Sequence, residues 1–114
     1  MVTCLRATPP DVTAQVRITR LPFVFNPLTR VSLSVVAVTN RGPATIAGPI
    51  HLVFDDLAPG LRLLDASGAI DGDPFLTLNV PALRPGETWL PLVRFANPGR
   101  VPVAFTPRVL SGRF

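Results

Sequence analysis

The chain of 114 residues has no tyrosine and no lysine, and it has a single cysteine, histidine, tryptophan and methionine. Each scarcity excludes something. With only Cys4 no internal disulfide can form, so the fold rests on burial, and cysteine usage does not set the compartment. Zinc normally takes three or four Cys, His or carboxylate ligands, and Cys4 with His51 fall short of that. Nucleophilic catalysis needs an activated serine or cysteine. Ser32, Ser34 and Ser111 are present, but no Gly-x-Ser-x-Gly elbow accompanies them. Glu87 is the sole glutamate and sits in the turn Leu83-Arg84-Pro85-Gly86-Glu87, where capping an amide is its simplest role. With no carboxylate pair for acid-base work, the inventory reads as non-enzymatic and cofactor-free.

Long apolar runs are missing too. Val35-Val36-Ala37-Val38 is the longest, against the roughly 20 residues of a membrane-spanning helix, so no membrane insertion is expected. The first ten residues have neither the basic start nor the apolar stretch of a secretory signal, and they end in Pro9-Pro10, which holds the chain extended. Residues 1–10 therefore read as a leader or linker of a larger protein, and residues 11–114 as one domain. The absence of lysine makes all eleven basic residues arginine, with a formal net charge of +4. They occur singly, without the aromatic interleaving that stacks bases. Scattered solubilising charge is the reading, and nucleic acid is not expected as a partner.

What is abundant is apolar sequence cut by turns. Hydrophobic residues make up 47% and charged residues 16%, a balance that suits a packed core, and 14 prolines and 8 glycines recur without a period. Val12, Ala14, Val16 and Ile18 alternate with polar residues as in a half-buried strand. Arg20 to Leu28 reads as a crossover loop with Phe23 and Phe25 packing back. Val31, Leu33 and Val35 alternate in a strand to Thr39 that becomes continuous at Val35-Val36, as a bulge or two-sided burial would produce. Ile50, Leu52 and Phe54 share one face of the next strand, leaving His51 and Val53 on the other, with His51 facing solvent. Further strands are expected at Leu61–Leu64, Phe75–Val80, Thr88–Ala96 and Val101–Leu110. This cadence predicts an all-β, antiparallel, immunoglobulin-like Greek-key sandwich of about seven strands, closed by Val31, Leu33, Val35, Leu52, Phe54, Val93 and Phe95.

In the Thr88–Ala96 strand, Trp89, Pro91, Val93 and Phe95 take the core phase. Pro91 cannot donate to a ladder and argues for an edge or a bulge. Leu90, Leu92 and Arg94 take the outer phase, leaving two leucines on the surface. Leu90, Leu92 and Arg94 are therefore the candidate interaction surface, covered by a neighbouring domain or subunit. Asp65, Asp71 and Asp73 surround one loop and could gather round calcium, although their spacing matches no EF-hand and Asp-Gly before Asp-Pro is ordinary turn chemistry.

Several segments resemble bacterial immunoglobulin-like or fibronectin-type-III-like modules of secreted and cell-surface proteins. They are Val38-Thr39-Asn40 with Gly42-Pro43, Gly48 to Phe54 with Leu57-Ala58-Pro59-Gly60, Gly72 to Leu76, Leu83 to Glu87, Arg94 to Pro98, and Thr106 to Leu110. The resemblance covers most of residues 11–114. It implies a sandwich fold, a secreted or cell-surface setting and a spacer or docking role beside neighbouring domains, and it carries over no catalytic position. The paired cysteines of antibody domains are absent. The competing reading is a carbohydrate-binding module. It would need exposed aromatic rings to stack on sugars, and Trp89 is placed on the core face.

Overall fold

The computed structural model describes residues 11–112. Cys4 and the leader or linker read at residues 1–10 lie outside that range. The elements are a 3-10 turn at Thr13–Gln15 and twelve strands: β1 Val16–Arg20, β2 Val24–Asn26, β3 Val31–Asn40, β4 Ile46–Ala47, β5 Ile50–Asp55, β6 Arg62–Leu63, β7 Gly68–Ile70, β8 Asp73–Leu78, β9 Ala82–Leu83, β10 Thr88–Trp89, β11 Leu92–Ala96 and β12 Thr106–Ser111. All pairings are antiparallel. The first sheet runs β1-β3-β11-β6, with β2 and β10 also on β3; the second runs β12-β5-β8-β7; β4 and β9 form a separate ribbon. The two sheets share one core, to which β3 gives Val36 and Val38, β11 gives Val93 and Phe95, β5 gives Ile50, Leu52 and Phe54, and β12 gives Val109. The protein is thus an all-β antiparallel sandwich.

The strand count exceeds the seven expected because β2, β4, β7 and β9 are short additional strands and Pro91 divides the Thr88–Ala96 strand in two. β1 pairs Arg20 with Val36, whereas β2 pairs Val24 with Leu33, so one extra residue is accommodated around Pro22 and the edge breaks there. Pro91 separates β10 from β11 without a bulge. Trp89 opposite Val38 and Leu92 opposite Val35 keep one register, and the Pro91 carbonyl accepts the Val36 amide at 3.2 Å. The missing Pro91 N–H removes one ladder bond and nothing more.

Two expectations about the core are corrected. The alternation read from Val12 begins as a 3-10 turn, because the Asp11 carboxylate accepts both the backbone N–H and the hydroxyl of Thr13. More consequentially, β3 presents the opposite face. Ser32, Ser34, Val36, Val38 and Asn40 are buried, while Val31, Leu33 and Val35 point outward, in strict alternation with no bulge. The reason is volume and pairing. Phe95 lies opposite Ser32 and Val93 opposite Ser34, so the small serines leave room for the Phe95 and Phe23 rings, whose centroids are 5.6 Å apart. Both hydroxyls are satisfied: Ser34 donates to the Leu21 carbonyl, and Ser32 accepts from the Asn97 amide at 3.0 Å.

The second sheet also departs from the reading of His51 as solvent-facing. β5 is buried on both faces from Ile50 to Phe54. His51 Nε2 lies 2.7 Å from the Gly112 carbonyl, which makes it the donor, and Nδ1 lies 2.8 Å from the Thr77 hydroxyl. Val53, Phe75 and Leu110 form a second, smaller core on this outer face. Gly68 sits under the Phe75 ring, where a Cβ would meet Cζ at 2.7 Å.

The ribbon carries Ile46 and Leu83 into the main core and brings Gly48 against residues 80–81, its amide donating to the Pro81 carbonyl at 2.9 Å. A Cβ at Gly48 would overlap the Val80 carbonyl oxygen, a backbone atom that cannot swing aside. Gly48→Ala is therefore expected to destabilise the fold by about 3 kcal/mol, read as a lowered urea midpoint at unchanged m-value, because overpacking forces backbone movement. A change under about 0.5 kcal/mol would disprove this close approach.

The sheet edges are blunted. On β12, Val109 accepts from the Val12 amide and donates to the Thr13 hydroxyl, and Pro107, in the same phase, offers no N–H. On β1, Arg20 takes the inward phase and caps the edge, its guanidinium over the Phe105 ring at 4.8 Å and bonded to the Phe105 carbonyl. β6 and β7 have only two and three residues.

Candidate functional site

The reversed phase of β3 produces the surface feature that stands out. Because residues directly opposite one another share a face, the outer side of the first sheet can be read in rows across its strands. One row holds Arg17, Thr39 and Thr88, with the two threonine hydroxyls 2.8 Å apart; the next holds Thr19 and Ala37. Leu90, in the same register, adjoins Ala37. Leu92 lies opposite Val35, to whose carbonyl the Leu21 amide donates, and Val24, Leu33 and Arg94 make the following row. Val31, Ala96, Asn26 and Arg62 close the face. Leu21 and Leu92 are each 55% exposed, Leu90 63% and Val24 64%. An isolated exposed leucine needs no explanation; adjoining rows of them on one sheet face form a continuous apolar patch.

Of the candidate surface, Leu90, Leu92 and Arg94 lie as expected on the outer phase of this one face. Arg94 forms an ion pair with Asp65, at a partly exposed position where such pairs add little stability. The reading from Leu90 and Leu92 alone missed Leu21, Val24 and Leu33. The alternation Val31-Leu33-Val35 points Leu33 to the core, and the loop read from Arg20 to Leu28 takes in Leu21 and Val24, so local pattern does not show the patch.

The three loop aspartates are not brought together. Asp65 meets Arg94, Asp71 occupies the β7–β8 turn with φ of +50°, and Asp73 lies on β8 beside Asp55. Among the described residues no group of three or more His, Cys, Asp or Glu side chains is placed to hold a metal ion. The Asp73 carboxyl is held above the usual carboxylate range, first by lost solvation and then by the Asp55 charge and a hydrogen bond between the two carboxyls, with Arg108 opposing. Arg108 bridges to Asp55 with two bonds of 2.8 and 3.1 Å, which accounts for its own raised pKa. A cleft of about 690 Å³ opens between the segment after β5 and the β7–β8 hairpin, lined largely by Leu57, Pro59, Leu61, Leu63 and Pro74, with Asp56, Arg62 and Asp73 also contributing.

Trp89 occupies the inward phase, half-buried and packed on the main core. Phe25 lies beneath the Arg100 guanidinium at 5.0 Å, so neither ring is a free flat platform. Comparison with protein-family models, with characterised proteins and with solved structures finds no match to this chain. Fold and surface together define an all-β antiparallel sandwich with one apolar outer face.

Proposed function

We propose that this chain is a non-catalytic, immunoglobulin-like module that serves as a spacer or docking unit in a larger secreted or cell-surface protein, meeting a neighbouring domain or another protein. The observation that carries the reading is the outer face of the first sheet, where Leu21, Val24, Leu33, Leu90 and Leu92 stand together in solvent. The blunted edges support it, because they leave a face rather than a strand to make the contact. The glycan-binding alternative loses its main support with Trp89 packed on the core.

The test uses Leu90→Asp/Leu92→Asp. Stability is expected to change by no more than about 0.5 kcal/mol, since both side chains are already in water. Fluorescence of a bound apolar dye is expected to fall several-fold. Trp89 emission should be blue-shifted and indifferent to neutral and acidic glycans. Dye binding that survives the substitutions, or a Trp89 signal that responds to a sugar, would reject the docking face.

A further inference from the structure

Four of the arginines, far apart in sequence, lie on or beside one face of the first sheet. On the outer face of the first sheet Arg17 lies at one end, and Arg41, just past β3 with its amide on the Gln15 carbonyl, lies at that same end. Arg62 and Arg94 lie at the other end, opposite Ala96 and Leu33. Among the described residues only Arg94 of these four meets a carboxylate, that of Asp65. Of the remaining acidic groups, Glu87 is at the Arg17 end, beside Thr88 with its carbonyl accepting the Asn40 amide, and the others are on other elements. Asp55 and Asp73 are on the outer side of the second sheet, Asp56 and Asp71 follow β5 and β7, Asp11 bridges to Leu110, and Glu87 accepts the Arg84 amide in the turn before β10. The face with the exposed leucines is thus cationic at both ends and apolar between them.

From this arrangement we infer that the occupant of the face is a protein segment, apolar along its middle and carrying carboxylates at both ends, an inference that rests on the docking reading above. Charge complementarity of this kind selects partners and orients them, while the apolar centre supplies the burial. A second copy of this chain does not fit. Both ends of the face are cationic, so stacking two such faces in either direction sets guanidinium groups against guanidinium groups. A lipid surface fits less well than a protein, because side chains that settle at a membrane interface are characteristically Trp and Tyr. The chain has no tyrosine, and its one tryptophan takes the inward phase.

The probes are two synthetic amphipathic helical peptides with one leucine stripe, flanked by glutamate in the first and by lysine in the second, together with phosphatidylserine vesicles. Binding is followed by titration calorimetry and by amide chemical shifts. The acidic peptide is expected to bind at least about tenfold more tightly than the basic one at low salt, with the preference shrinking as salt screens it. Shifts should concentrate in β1–β3, β10 and β11. Arg17→Glu/Arg62→Glu is expected to abolish or reverse the preference, and Leu90→Asp to weaken both peptides alike. Equal binding of both peptides at this face would overturn the charge inference and leave the docking reading standing. No peptide binding at the face would remove both. Binding to vesicles with no peptide binding would assign the face to lipid and overturn the proposal.

Discussion

Phe54→Ala is expected to destabilise the protein by about 4 kcal/mol and to lower Tm by about 15 °C. The magnitude follows from where the ring sits. Phe54 is fully buried near the end of β5, edge-on to Phe95 at 5.6 Å and to Phe105 at 4.8 Å, and those two rings also contact Phe23. Truncation removes apolar area and leaves a cavity that β5, β11 and the segments carrying Phe23 and Phe105 cannot close together. Because domains of this size hold only about 5–15 kcal/mol of net stability, the variant should be marginal. Phe54→Leu, which fills much of the space, is expected to cost about 1.5 kcal/mol. Urea titrations of both variants check the pair. A loss below about 1 kcal/mol for the alanine variant would mean that the phenylalanine cluster is not where the sheets are joined.

Asn40→Ala is expected to cost nearly as much, about 3–4 kcal/mol, through polar groups rather than volume. Asn40 is fully buried at the end of β3. Its amide nitrogen donates to the carbonyls of Ala44 at 2.9 Å and Leu83 at 2.8 Å, and its Oδ1 accepts the Gly42 amide at 3.0 Å. Truncation leaves all three backbone groups without this partner, and orphaned buried polar groups cost about 1–3 kcal/mol each. Asn40→Asp discriminates packing from hydrogen bonding. It keeps the shape and the acceptor but turns a carboxylate oxygen toward two carbonyls. It is expected to be as damaging as alanine at neutral pH and to recover in part under acid, when a protonated carboxyl regains one donor. Equal stability of the aspartate variant and the parent near neutrality would overturn this assignment.

The same asparagine shows where sequence reading stops. A polar residue at the end of an alternating strand reads as the start of a turn, and Asn40 does precede the turn through Gly42, yet its side chain is in the core. Asn97 repeats the case. It reads as part of an Asn-Pro-Gly corner, but its amide is buried and bonds Ser32 and both backbone groups of Val101. In each case the burial comes from segments distant in sequence folding over the turn, which local pattern does not contain.

The exposed face is a sharper instance. On β11 and the residues just before it, Leu92 and Leu90 are legible because Val93 and Phe95 are unmistakably the larger inward pair. On β3 both phases hold branched apolar residues, Val31, Leu33 and Val35 against Val36 and Val38, and hydrophobicity favoured the phase without serines. The choice was made instead by what lies across the sheet, where aromatic rings need the room that Ser32 and Ser34 leave. His51 is a related case, since burial on the second face of β5 is set by Phe75 and Leu110 on neighbouring strands.

By itself the sequence determined the all-β class, the positions of most turns, the absence of an internal disulfide and the inward phase of Trp89, Val93 and Phe95, because proline, glycine and period-2 alternation act over a few residues. Only the tertiary structure decided which side of β3 faces the core, that Arg17, Arg62 and Arg94 share one sheet face, and that Leu21, Leu33, Leu90 and Leu92 share it with them. Those properties depend on cross-strand register and on the volumes of residues brought together from remote parts of the chain, and a slip of one residue would have exchanged every inward side chain of the strand for an outward one.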